Sequence, residues 1–231
     1  AAFDAGVNDA IAAHLGRHTA SALGDLRKCF ERIVHSLLLP TALAAGFPAR
    51  VLGVAISMYR APRVIQVGQA TSGRVVTNQG VAAGCKLATF LVRAFLVRAL
   101  DWFAVSTLNS SRIVYRLTVY VDDLFLQVTG KCTLATGVRL VSTARTLLST
   151  FSDQLSLEFA SDKLFTVASN ETTLAVIEKG LAPLGFVALK VIKFLGIDYS
   201  AGRPSAAPTM CARLSSFAKR IRRIKGLSHI R

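Results

Sequence analysis

Residues 113–130 read IVYRLTVYVDDLFLQVTG. Ile113, Val114, Tyr115, Leu117, Val119 and Tyr120 on one side, and Leu124, Phe125, Leu126 and Val128 on the other, are the β-branched, aromatic and apolar residues that favour a pleated surface. Val121, Asp122 and Asp123 interrupt the two runs, and Gly130 closes the second. The stretch therefore predicts a β-hairpin with two carboxylates at its tip.

Working outward, TASALGDL at 19–26 is a short apolar run ending at Asp25, suited to a buried strand. Helices are predicted at 37–45, stopped by Gly46, and at 49–60, opened by Pro48. A small hairpin is expected from 64–67 and 74–77, a loop at 78–84 and a long helix at 85–103. Beyond the acidic hairpin, 134–151 reads as a helix, 155–159 and 164–168 as extended, and 171–181 as a helix capped by Asn170. A strand pair and a basic helix end the chain. The order strand, helices, strand, strand, helix, strand is the split βαβ plan of the ferredoxin-like fold, an α+β class with an antiparallel sheet and helices on one face. That plan sets the first and third strands side by side, so Asp25 should meet Asp122 and Asp123.

Carboxylates brought together repel unless a cation separates them. Magnesium suits such a place, because it takes hard oxygen ligands, keeps its waters and is shared with substrate phosphates. Two such ions could activate a 3′-hydroxyl and stabilise departing pyrophosphate, with Mn²⁺ as a substitute.

The remainder of the chain is the electrostatic opposite of this acidic tip. Of 231 residues, 28 are Lys or Arg and 13 are Asp or Glu, a net charge of +15 that points to a polyanionic partner. No acid occurs from residue 32 to 100 or after Asp198. Hydrophobic residues make up 52% of the chain, enough for a core, yet no uninterrupted apolar run reaches the ~18 residues of a spanning helix. Stable membrane association is not expected. Cys29, Cys85, Cys132 and Cys211 have no zinc-like or disulfide-framework spacing and read as reduced intracellular thiols. At the C-terminus Leu214, Phe217, Ala218, Ile221 and Ile224 form one helix face, with Arg213, Arg220 and Arg223 among the cations mostly elsewhere. Such a helix can lie on a phosphate backbone.

Five segments together carry a family resemblance: DLRKCFE at 25–31, GVAAGCKLA at 80–88, YVDD at 120–123, Asp162-Lys163, and KFLGIDY at 193–199. In order, they resemble motifs A to E of the reverse transcriptase palm, nearest to those of non-long-terminal-repeat retrotransposons and group II introns. The resemblance implies an RNA-directed DNA polymerase that adds dNTPs to a DNA primer on an RNA template. It makes Asp25 and Asp122 the catalytic metal-binding carboxylates, with Asp123 a less indispensable third member of the metal site, and Lys163 a group that protonates or neutralises pyrophosphate. Phe30 becomes a steric gate against the ribose 2′-hydroxyl, Tyr120 part of the substrate site, and Gly84 the motif B glycine. Phe194, Leu195 and Gly196 become the primer grip.

Two departures stand in motif B: Ala83 where the family has glutamine, and Lys86-Leu87-Ala88-Thr89 where it has Pro-Leu-Ser-Pro. Gln79 does not restore the register. The resemblance divides the chain into 1–18, a remnant of fingers or linker, 19–200, the palm, and 201–231, a basic partial thumb helix. It implies nuclear residence, and fingers and endonuclease regions belonging to a larger polyprotein. A catalytically inactive nucleic-acid-binding remnant of such a polymerase is the other reading.

Overall fold

A computed structural model describes residues 2–107, 113–195, 197–202, 211–212, 215–216 and 219. Helix α1 (Ala2–His14) leads into strand β1 (His18–Asp25), followed by α2 (Cys29–Arg32), α3 (His35–Ala44) and α4 (Ala49–Arg60). The short strands β2 (Gln66–Val67) and β3 (Ala70–Thr71) precede α5 (Ala88–Thr107). Strands β4 (Val114–Tyr120) and β5 (Asp123–Gly130) form the acidic hairpin, then come α6 (Thr133–Leu155), β6 (Phe165–Ala168), α7 (Glu171–Leu181), β7 (Val187–Ala188), β8 (Ile192–Phe194) and β9 (Ile197–Tyr199).

The main sheet has the order β4-β5-β1-β6-β7. All its pairings are antiparallel except β6 with β7, so the expected antiparallel sheet ends in one parallel strand. β1 lies between β5 and β6, which gives the expected adjacency of the first and third strands.

Side-chain alternation divides the strands between two apolar layers. Ala20, Ala22 and Leu26, with Leu124, Leu126 and Val128, face the larger core, where Leu91, Phe95, Leu140, Leu147 and Phe151 of α5 and α6 are buried. Each such Leu or Phe contributes roughly 1.5–3 kcal/mol by leaving water. Leu23, Phe125 and Val167 face the other way, against Ala5 of α1 and Ile192, Phe194 and Tyr199 of the β8–β9 hairpin. The expectation of helices on one face therefore needs correction. Residues expected as a remnant or linker hold a helix whose small residues Ala5 and Ala12 let it settle on the opposite face.

That second layer contains a buried polar chain. Gln127 Nε2 donates to Asp9 Oδ1 at 2.8 Å and to the Tyr199 hydroxyl at 3.1 Å, and Tyr199 shares a 3.0 Å hydrogen bond with Ser21. Burial raises the Asp9 pKa, opposed by hydrogen bonds from the Tyr199, Thr19 and Gln127 side chains, while its Oδ2 has no partner. The sign follows from linkage: stability from Asp9 is full below the ordinary carboxylate range and is lost as pH rises through the raised value. Asp9→Asn should therefore melt at a higher temperature than the parent at pH 8 and differ little at pH 4. Thermal denaturation across that range checks it, and a deficit at pH 8 would refute it.

Local expectations meet the structure with few changes. Asn170 caps α7 by accepting from Thr173 N–H at 2.8 Å. α6 and α7 pack closely because glycine faces valine twice: a Cβ on Gly180 would stand 2.6 Å from Val141, and one on Gly137 would stand 3.0 Å from Val176. The exposed hairpin forms nearer its tip than expected, at 66–67 and 70–71, with one further bridge between Arg63 and Val75. Ser72 Oγ accepts from Ile65 N–H there, so a side chain replaces a ladder bond. The expected strand at 155–159 reduces to one bridge, Phe159 with Leu26, because α6 runs on to Leu155. Among the described residues no helix is long and apolar enough to cross a membrane. Arg213, Arg220 and Arg223, expected on the thumb helix, lie outside the described residues, as does Gly196.

Candidate active site

The carboxylates meet because a strand end and a hairpin tip meet. Asp25 closes β1 and stands directly opposite Asp123, the first residue of β5. Such pairs have Cβ atoms roughly 4.5–5.5 Å apart. Leu26 N–H donates to Asp122 O at 2.9 Å, tying the chain beyond Asp25 to the tip. The tip itself is strained: Val121, a β-branched residue, sits at φ 60°. Only the first of the two loop residues has positive φ, the sign pattern of a II′ hairpin turn, which normally uses glycine there. That turn leaves Tyr120 largely exposed beside the acids.

On the other side of Asp25, Ala160 N–H donates to its carbonyl at 2.8 Å. Lys163, on the short turn at 161–163, places Nζ 2.8 Å from Asp25 Oδ2. The structure thus joins Asp25, Asp122, Asp123 and Lys163, four residues drawn from three separate segments. Gly24 makes this approach possible: a Cβ there would lie 2.8 Å from the Phe159 ring and 3.2 Å from Leu164.

The titration behaviour shows a concentrated negative field. The Asp123 pKa is raised by burial first, then by the charges of Asp122 and Asp25, with Lys163 opposing. The Cys29 thiol is pushed up to about 12, mainly by burial and then by Asp122 and Asp25. Lys163 is raised by its hydrogen bond and ion pair with Asp25, which keeps its ammonium charged.

Among the described residues, no three His, Cys, Asp or Glu side chains are grouped closely enough to hold a metal ion unaided. The residues still fit magnesium, which needs only one or two carboxylates when waters and substrate phosphates complete its shell. Asp25 already holds a cationic group, the Lys163 ammonium, on one oxygen.

Phe30 is half-buried against the larger core, and its carbonyl accepts from Val81 N–H at 2.8 Å. The loop at 78–81 runs antiparallel to residues 30–35: Gly80 N–H donates to Ile33 O at 2.8 Å, and His35 Nε2 donates to Gly80 O at 2.7 Å. Gly80 has φ +90°, and a Cβ there would meet the Glu31 carbonyl at 3.1 Å. Gly84 also has positive φ, +86°, yet open space surrounds it. The glycine that seats this loop on the motif A segment is therefore Gly80, held by buried His35. Sequence reasoning singled out neither for that task, although the Asn78-Gln79-Gly80 turn signal was present.

The primer-grip expectation needs correction at Phe194. This side chain is 1% exposed and stacks on Phe125 with ring centroids 4.6 Å apart, so it fills the core and cannot reach a primer. Leu195, at φ 48°, is the exposed residue of that turn.

Comparison with known proteins bears on the fold and the family. No curated protein sequence matches the chain. Among solved structures, apo telomerase of Candida tropicalis truncated from its C-terminal domain superposes with a TM-score of 0.58 at 13% identity, covering 85% of this chain and 36% of that one. Telomerase of Candida albicans in complex with the TWJ fragment of telomeric RNA gives 0.57 at 12% identity, covering 90% and 34%. The likeness is one of fold, and this chain spans about a third of the telomerase chains. A family model described as reverse transcriptase (RNA-dependent DNA polymerase) matches residues 2–199, from α1 through β9. The chain belongs to the reverse transcriptase family.

Proposed function

We propose that this chain is the palm of an RNA-directed DNA polymerase that adds dNTPs to a primer 3′-hydroxyl, with Asp25, Asp122 and Asp123 as its metal-binding acids. The observation that carries the reading is the placement of Asp25 opposite Asp123 at the end of the sheet, with Lys163 on Asp25. Bound Mg²⁺ ions would supply activation of the 3′-hydroxyl and charge stabilisation of the leaving pyrophosphate.

The chain's own residues do the rest. Asp25 and Asp123 stand opposite each other on paired strands, so the site needs little reorganisation when charge develops. Lys163 keeps a charged ammonium beside Asp25 and can pass to the pyrophosphate oxygens, or donate a proton to them. Phe30, on the segment that the 78–81 loop braces, would exclude a 2′-hydroxyl. The +15 charge, concentrated outside this site, holds template and primer. A polymerase nearest to those of non-long-terminal-repeat retrotransposons and group II introns is proposed as well, on the ordered set of five motifs.

Primer extension on an RNA template, in Mg²⁺ and then Mn²⁺, tests this against Asp122→Asn. Extension that disappears in the variant supports the polymerase; extension retained in it removes these acids from the chemistry. Salt-sensitive duplex binding without extension, indifferent to Mg²⁺ and to the variant, identifies the binding remnant instead.

A further inference from the structure

The edge strand β4 lies at the opposite side of the sheet from β7, and among the described residues no strand pairs with its outer edge. An antiparallel strand bonded on one side only leaves alternate N–H and C=O groups pointing outward. Val114, Arg116 and Tyr120 are exposed, while Tyr115, Leu117 and Val119 are half-buried.

Both faces of this edge are hollow. On the α1 side a cavity of about 250 Å³ is bounded by Asn8, Arg17 and Arg116, with apolar walls from Ile11, Leu15 and Val114. Asn8 Nδ2 is buried there without a hydrogen-bond partner, a donor that an incoming acceptor would satisfy. Ile11 and Leu15 are more than half exposed, so this end of α1 has apolar surface uncovered. On the α5 side a second cavity, about 340 Å³, is bounded by Phe103, Ala104, Thr107, Leu117 and Leu126, with Asp101 among its lining. The two cavities differ in charge: Arg17 and Arg116 line the first, while the second is walled mostly by apolar side chains, with Thr107, Tyr115 and Asp101 among them.

A strand laid along β4 would send successive side chains into the two cavities in turn. We infer that β4 receives an extended peptide from a protein partner, with acidic side chains facing Asn8, Arg17 and Arg116 and apolar side chains facing the α5 groove. This is strand addition: backbone bonds supply affinity and alternating side chains supply specificity. Charge complementarity selects the occupant. A second copy pairing through β4 would bring together two chains that each carry +15. Nucleic acid would satisfy the arginines and leave the apolar α5 groove unfilled.

The test uses the full chain and a fluorescent eight-residue peptide of alternating Glu and Val, read by anisotropy. Alternating Glu-Ser controls for charge, and the Glu-Val peptide with a central proline controls for backbone pairing. Expected results are binding of Glu-Val over both controls, protection of the amides at 114–120 from hydrogen exchange, and about tenfold weaker binding to Arg116→Glu. Ala104→Trp, which fills the second cavity, should weaken it likewise; if that variant fails to fold by circular dichroism, exposed Arg116 carries the test. Equal affinity for the Glu-Ser peptide, or unchanged affinity in folded variants, overturns the proposal. A short RNA that displaces the peptide and itself loses affinity in both folded variants makes the edge a nucleic-acid surface and overturns it. Self-association abolished by Arg116→Glu does so in favour of a dimer.

Discussion

Primer extension by an Asp25→Asn chain is expected to fall on the order of 10³-fold or more, the rate equivalent of losing several kcal/mol of charge stabilisation. Its stability should barely change. The ion pair that is lost joins Asp25 to a Lys163 whose side chain is 55% exposed, and such pairs contribute about 0–1 kcal/mol. Repulsion between Asp25 and Asp123 is relieved at the same time. An independent readout accompanies the rate. With one of its raising charges removed, Asp123 should titrate lower, and Lys163, without its principal partner, should titrate lower too. NMR titration of the two groups reports both directions. Undiminished extension together with the expected titration shifts would show that the field is real and the chemistry lies elsewhere.

Gly24→Val should damage stability and activity together. The cavity beside Gly24 is only about 10 Å³, and an added Cβ already stands 2.8 Å from the Phe159 ring. Phe159 cannot swing away freely, because it packs on Phe151 with centroids 5.6 Å apart and bridges Leu26 through its backbone. Its neighbour Ala160 holds the carbonyl of Asp25. Overpacking of this kind costs about 1–3 kcal/mol. Here it also moves the segment that fixes Asp25 and Lys163, so extension should fall well beyond what the lost stability explains. Removing the obstructing ring with Phe159→Ala in the Gly24→Val background should recover part of both. Denaturant melts and primer extension on the three variants decide it; a Gly24→Val chain as stable and active as the parent would show that the site does not depend on this close approach.

The central part of this architecture is legible in sequence because it is written in a two-residue period. Alternation in 113–130 and the apolar run at 19–26 suffice to bring Asp25 against Asp123, since register follows once the faces are known. Lys163 on Asp25 is less accessible: the resemblance points Lys163 at pyrophosphate, and its pairing with a residue 138 positions away has no signature in the sequence. Other features had no local signature. Phe194 in KFLG reads equally well as an exposed grip and as a core residue; only the Phe125 ring opposite decides for the core. α1 carries little apolar periodicity because it binds the sheet through alanines and through Asp9, a residue that composition assigns to the surface. Gly80 and Gly84 look alike in sequence, and the Glu31 carbonyl beside one of them tells them apart.

The position of β1 between β5 and β6 has a consequence for the chain as it is synthesised. The innermost strand is made first, yet its two neighbours lie roughly 100 and 140 residues downstream. At about 5–20 residues per second, a ribosome leaves β1 with both edges open for several seconds before the acidic hairpin emerges. The run TASALG carries no charge throughout that interval and is a ready template for intermolecular pairing. Slowing translation or diluting the nascent chains should therefore change the yield of soluble protein more than any mature-surface charge does, and the acidic cluster is assembled only as that vulnerable strand is finally enclosed.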